Sequence, residues 1–139
     1  MSASGVDKTK LDLPGRDVLL VSGYETDPPR IVLSVPSDFE PRRVSVDAIE
    51  HWMIYREHPG AGAILHVHAW MQGIAATDVN YPCGTEELTL SVAELIRAEP
   101  DPANAVVGLR NRGITATGRT LAGILDRIEP RLLRQVPMS

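Results

Sequence analysis

Two histidines separated by one residue, His66 and His68, close the apolar run Ala61 to Ala69 (AGAILHVHA). On a strand, residues two apart point to the same face. Both imidazoles can therefore converge on one ion where the strand enters a loop. The alternative is two polar side chains at a strand end, hydrogen-bonded or solvated. A mononuclear zinc site needs at least a third protein ligand, and the pair alone does not say where it lies. Asp47 is a further candidate, as a ligand or as an acid-base group. An acidic residue in the first turn of a helix also simply suits the helix dipole. His51 lies one turn after Asp47 and reads as a helix-surface or partly buried residue. His58, before Pro59, reads as a loop residue. Cys83 has no Cys-His-Asp pattern around it and reads as structural. Gly113 and Gly118 mark turn positions that favour positive φ.

The elements that must carry these residues alternate along the chain. DVLLV (Asp17 to Val21) reads as a buried strand, YETDPP (Tyr24 to Pro29) as a turn, and RIVLSV (Arg30 to Val35) as a second strand, which makes a hairpin. PSDFEPRR reads as loop. Ser45 then looks like an N-cap, with Asp47 in the first turn and Val46, Ile49, Trp52 and Met53 at helical spacing. That helix should stop before His58. Ala61 to Ala69 reads as a buried strand. Gly84 to Pro100 reads as a helix capped by Thr85, with Leu88, Val92, Leu95 and Ile96 as its apolar stripe. Ala105 to Asn111 is a further apolar strand, and ITAT adds a short one. A last helix starts near Arg119, with Leu121, Ile124, Leu125 and Ile128 on one face, and Pro130 kinks or shortens it. Strands interspersed with helices predict an α/β layered domain, and the hairpin makes the sheet mixed rather than all parallel.

Composition narrows the function classes. The chain has 139 residues, one domain's worth, with 14 basic against 18 acidic residues and a net charge of -4. That balance argues against a nucleic-acid partner, which needs a basic face. Aromatics at 4% are too few for a stacking platform. No apolar run approaches the ~20 residues of a membrane helix, and MSASGVDKTK carries no signal-peptide core. The one cysteine cannot form an internal disulfide. A soluble, cytoplasmic protein without a membrane partner is expected.

Four segments, in one order, carry a resemblance. They are SGVDKTKL (Ser4 to Leu11), VSVDAIEHWMIYREHPGAGAILHVHAW (Val44 to Trp70), YPCGTEEL (Tyr81 to Leu88) and VVGLRNRGITATGRTL (Val106 to Leu121). Together they resemble the class II aldolase/adducin family of metal-dependent sugar-phosphate aldolases, related epimerases and dehydratases, and non-catalytic adducin heads. The resemblance runs over nearly the whole chain, residues 1–139. It implies a three-layer α/β/α sandwich with a mixed, largely antiparallel central sheet. It also implies a homo-oligomer, a tetramer in relatives, with sites between subunits.

The resemblance assigns roles residue by residue. His66 and His68 match two metal ligands, and Asp47 matches the position of a ligand or proton-transferring carboxylate. Ser4, Gly5 and Ser45 match an anion-binding loop that holds the substrate's phosphate. Val46 stands where many relatives have a second serine, which weakens the case for a phosphorylated substrate. The family's third metal-ligating histidine is replaced by Arg112 in Asn111-Arg112-Gly113, and a guanidinium is no normal ligand. The family domain also begins well before Ser4, so the chain is expected to lack the N-terminal part of that domain. The function implied is a lyase acting on a small hydroxy-carbonyl substrate. A divalent ion would stabilise an enediolate; zinc comes first, with manganese, iron or cobalt also suited to imidazole. The alternative is a non-catalytic, adducin-head-like assembly module, or an epimerase or dehydratase relative.

Overall fold

The computed structural model describes residues 1–9, 15–40 and 42–133. Lys10 and Leu11, at the end of the first matched segment, and Pro41 of the expected loop lie outside the described residues. The architecture is mixed α/β, with two small antiparallel sheets and three α-helices among the described residues.

The first sheet is the hairpin of β1 (Leu20–Thr26) and β2 (Pro29–Ser34). Its turn is tighter than the sequence predicts. Thr26 pairs with Pro29, so only Asp27 and Pro28 lie outside the ladder. Tyr24 to Thr26, expected in the turn, belong to β1. Pro29 is tolerated because it opens its strand, where the missing N–H costs least. The expected buried strand Asp17 to Val21 is also corrected. Leu19 is buried, but Val18 and Leu20 are exposed, and the ladder begins only at Leu20.

The second sheet has the order β3-β5-β4, from β3 (Ala63–Val67), β4 (Val106–Leu109) and β5 (Gly113–Gly118). The ITAT segment, expected as a short addition, is the middle of this sheet and buried throughout. Gly113 has φ +130, as a turn glycine should. Gly118 does not; it lies in β5, where a side chain would meet Ile124 Cγ1 at 2.5 Å. The strands thus form two separate sheets rather than one central sheet. Among the described residues the parallel element is an isolated bridge between Ala76 and Gly108.

Helix α1 spans Ala48–Glu57, α2 Glu86–Ala98 and α3 Leu121–Ile128. Thr85 caps α2 as expected, its hydroxyl accepting from the Leu88 amide, and Glu86 and Glu87 occupy the first turn. Thr120 caps α3 in the same way, so that helix starts two residues after Arg119. Pro130 stands in a short 3-10 turn, Glu129–Arg131, that ends α3. Leu121 and Leu125, expected on the buried stripe, are exposed, whereas Ile124 and Ile128 are buried.

Side-chain alternation divides the core in two. Ile64, Val107 and Leu109 pack with Ile54 of α1 and with Leu88, Val92 and Ile96 of α2. Ala63, Ile114 and Ala116 pack with Met71 and with Ile124 and Ile128 of α3. His66 shares its strand face with Ile64, so it points toward the layer of α1 and α2. No helix among the described residues is long and apolar enough to cross a membrane.

Candidate metal and acid-base site

The start of α1 differs from expectation in a way that shapes the site. Asp47, not Ser45, holds the N-cap position. Ser45 instead donates from its hydroxyl to Asp47 Oδ2 at 2.9 Å. The buried residues of α1 are Ala48, Ile49, Glu50, His51 and Ile54, while Val46 is exposed and Trp52 and Met53 are half-buried. Positions 47, 50, 51 and 54 share one helix face by their spacing. Two polar side chains, Glu50 and His51, therefore enter the interior directly beneath Asp47.

His66 lies in β3 opposite Thr115 of β5. Its Nδ1 is 3.2 Å from Thr115 Oγ1, and the Thr115 hydroxyl donates to Glu50 Oε1 at 2.6 Å. His68 follows the end of β3, its ring centre 5.2 Å from that of His66 and steeply inclined to it at 75°. The turn bearing Arg112 presses on this strand end. A side chain at Gly113 would overlap the Val67 carbonyl oxygen and stand 2.9 Å from His68 Cα.

Burial dominates the electrostatics. It pushes Glu50 up to about 7, the Thr115 hydrogen bond opposing and the Asp47 charge adding. It pushes His51 down to about 4, against the pull of Asp47; His66, the amino terminus and Lys8 add to the lowering. Nε2 of His51 is buried without a hydrogen-bond partner. Burial also lowers His66, again opposed by Asp47, while His68 and Lys8 add to the lowering and a hydrogen bond to the Ile114 backbone counters it. Among the described residues, Asp47 is the carboxylate whose charge acts on Glu50, His51 and His66 alike.

The segment around Ser4 is drawn to Ser45 by backbone pairing. Ala3 bridges Val44, the Ser4 amide donates to the Arg43 carbonyl at 2.8 Å, and the Ser45 amide donates to the Ser2 carbonyl at 3.2 Å. Gly5 has φ +73 and borders a cleft of about 260 Å³ shared with Asp7, Arg16, Asp17 and Arg42. Arg16 is engaged by Asp17 at 3.1 Å there. Arg112 is turned to the loop before α2: its Nε donates to the Tyr81 carbonyl at 2.6 Å and its Nη1 contacts Cys83 Sγ. His58 caps the C-terminal end of α1.

The structure therefore sets Asp47 where its charge acts on His66, sets His68 beside His66, and pairs the backbone around Ser4 with that around Ser45. It adds Glu50 and Thr115, which sequence reasoning missed. The available signal was the spacing of Glu50 from Asp47 and Ile54 along one helix face. As a metal seat, the donors fit two positions. Two imidazoles stand side by side, and the second nitrogen of His66 already has a partner, as a ligating histidine requires. Among the described residues, no three His, Cys, Asp or Glu side chains are grouped to hold an ion. No protein-family model, curated protein or solved structure matches this chain.

Proposed function

We propose that this chain is a divalent-metal lyase of the class II aldolase type, acting on a small hydroxy-carbonyl substrate. The observation that carries the reading is the pair of imidazoles at the end of β3, ring centres 5.2 Å apart, with His66 backed by Thr115 and acted on by the Asp47 charge. His66 and His68 would hold the ion, zinc or a similar divalent metal. Such an ion supplies a Lewis acid for negative charge developing on substrate oxygens. Asp47 moves the proton, its carboxylate oriented by the Ser45 hydroxyl. The resemblance would have Ser4, Gly5 and Ser45 receive the acidic end of the substrate, which requires the Ser45 hydroxyl to turn from Asp47 and the Ser4 amide to leave the Arg43 carbonyl. Epimerase or dehydratase chemistry would use the same groups. The division of the core between α1 with α2 and α3 supports a three-layer α/β/α arrangement around β3-β5-β4. Assembly into a homo-oligomer, a tetramer as in the resembled family, belongs to the same proposal. So does a cytoplasmic setting.

A second reading, a non-catalytic assembly module, is favoured by the incomplete donor group and by Arg112 in place of a third histidine. Elemental analysis of the purified chain beside His66→Ala separates the two. About one divalent ion per chain, lost in the variant, is expected for the lyase, and aldol cleavage of hydroxy-carbonyl acids would then be screened. Absence of metal from both, even after incubation with zinc, would leave the assembly module.

A further inference from the structure

The buried pair Glu50 and Thr115 has no part in the roles given to Asp47, His66 and His68, and its geometry calls for one. Glu50 is 2% exposed and Thr115 fully buried. Thr115 stands on the central strand, directly across from His66, and α1 brings Glu50 down onto it. An isolated buried carboxyl is costly, and an apolar residue at 50 would pack beside Ile54 without that cost. The polar pair instead ends on an imidazole.

The direction of the chain follows from counting protons. Above about pH 7, where Glu50 is ionised, its oxygens accept only, and the hydroxyl proton of Thr115 is then committed to Glu50 Oε1 at 2.6 Å. A hydroxyl has one proton. Toward His66 Nδ1, at 3.2 Å, the Thr115 oxygen can then only accept. With Glu50 ionised, Nδ1 carries the ring hydrogen, and Nε2 keeps its lone pair.

We propose that Glu50 and Thr115 are positioning residues that hold His66 as the Nδ1–H tautomer, so that the lone pair lies on Nε2. This inference rests on the metal reading only for its use: Nε2, bearing the lone pair, is the nitrogen that would take an ion. The tautomer is a property of the chain without metal. Metal-binding histidines depend on the partner of their other nitrogen, and losing that partner typically lowers metal affinity by roughly ten- to a hundred-fold.

The test is long-range proton–nitrogen NMR, above about pH 7 where Glu50 is ionised, on metal-free protein labelled with 15N-histidine, His66 being assigned through His66→Gln. The expected result is Nδ1–H in the native chain, a mixed or Nε2–H ring in Thr115→Val, and return to Nδ1–H in Thr115→Ser. A native His66 protonated on Nε2, or a ring unchanged in Thr115→Val, would overturn the proposal. If Thr115→Val does not fold, the native spectrum and Thr115→Ser decide by the same criteria. A parallel titration with zinc alone separates this proposal from the metal reading. Affinity lower by roughly ten- to a hundred-fold in Thr115→Val supports the relay, and equal affinity overturns it while leaving the metal reading intact. The predicted tautomer in a protein that binds no zinc upholds the relay and sinks the metal reading.

Discussion

The two faces of strand β5 are chemical opposites. Toward α3 it presents Ile114 and Ala116, which meet Met71, Ile124 and Ile128 in a wholly apolar cluster. Toward α1 and α2 it presents Thr115 and Thr117, both fully buried. Thr117 is used up structurally: its hydroxyl donates to the Pro102 carbonyl at 2.7 Å and accepts from the Ala105 amide at 2.8 Å. Thr115 joins a helix carboxyl to a strand histidine. Apolar side chains would fill the same space on the second face. Polar ones are present at the point where His66 needs a partner, and this difference separates the part of the interior that holds the fold from the part that shapes a site.

The largest expected effect lies on the apolar face. Ile124→Ala removes a fully buried side chain between α3 and the sheet, and should cost about 2–5 kcal/mol in urea unfolding. Zinc affinity should be retained wherever the variant is folded, and a selective loss of metal binding would break the division of labour between faces. On the polar face the expected loss is smaller and reversible. Thr115→Val strands a buried carboxyl and should cost about 1–3 kcal/mol. Adding Glu50→Leu removes the stranded partner and should restore much of that stability without restoring the His66 tautomer. A double variant as unstable as the sum of its singles would show that the pair serves packing alone.

The smallest effect is a change in the shape of the pH profile. Glu50 is raised from 4.5 to about 7 in the folded chain. Folding then retains a proton that the unfolded chain releases. Its contribution is fully present below pH 4.5 and is lost as pH rises toward and through 7. His51 is depressed from 6.5 to about 4. Its contribution is present above 6.5 and is lost as pH falls toward and through 4. Between about 4.5 and 6.5 the two slopes oppose each other, so urea midpoints should vary little there. In Glu50→Gln the opposition disappears, and stability should climb from pH 4 to 6.5 and then level. A Glu50→Gln profile parallel to the native one would rule out Glu50 as the titrating group.

Much of this scaffold was legible in the sequence. Thr85 and the stripe Leu88, Val92 and Ile96 mark α2, and the run Ala61 to Ala69 contains β3 with both histidines. The hairpin was legible in outline, but prolines at 28 and 29 suggested a longer turn than the ladder allows. Strand β5 was underrated because glycines and threonines dilute its apolar signal, although its central place buries it completely. The inner face of α1 was misread for a related reason. Apolar periodicity assigns Trp52 and Met53 to the core, and it has no means of seeing that Thr115, sixty-five positions from Glu50, would make a carboxyl acceptable inside. The adjacency of His66 and His68 was legible, and Asp47, singled out at the same helix start, acts on the charge of His66. The pairing of Ser4 with Arg43 depends on long-range backbone contact that no local pattern signals; the resemblance grouped Ser4 and Gly5 with Ser45 instead.

Gly113 gives the site a mechanical stop. With no side chain there, the turn after β4 rests on the backbone of Val67 and His68. The separation of the two imidazoles is therefore gauged against a neighbouring loop as well as by their own strand. A methyl group at 113 would act as a wedge, displacing His68 relative to His66 while leaving every donor atom of the site chemically intact.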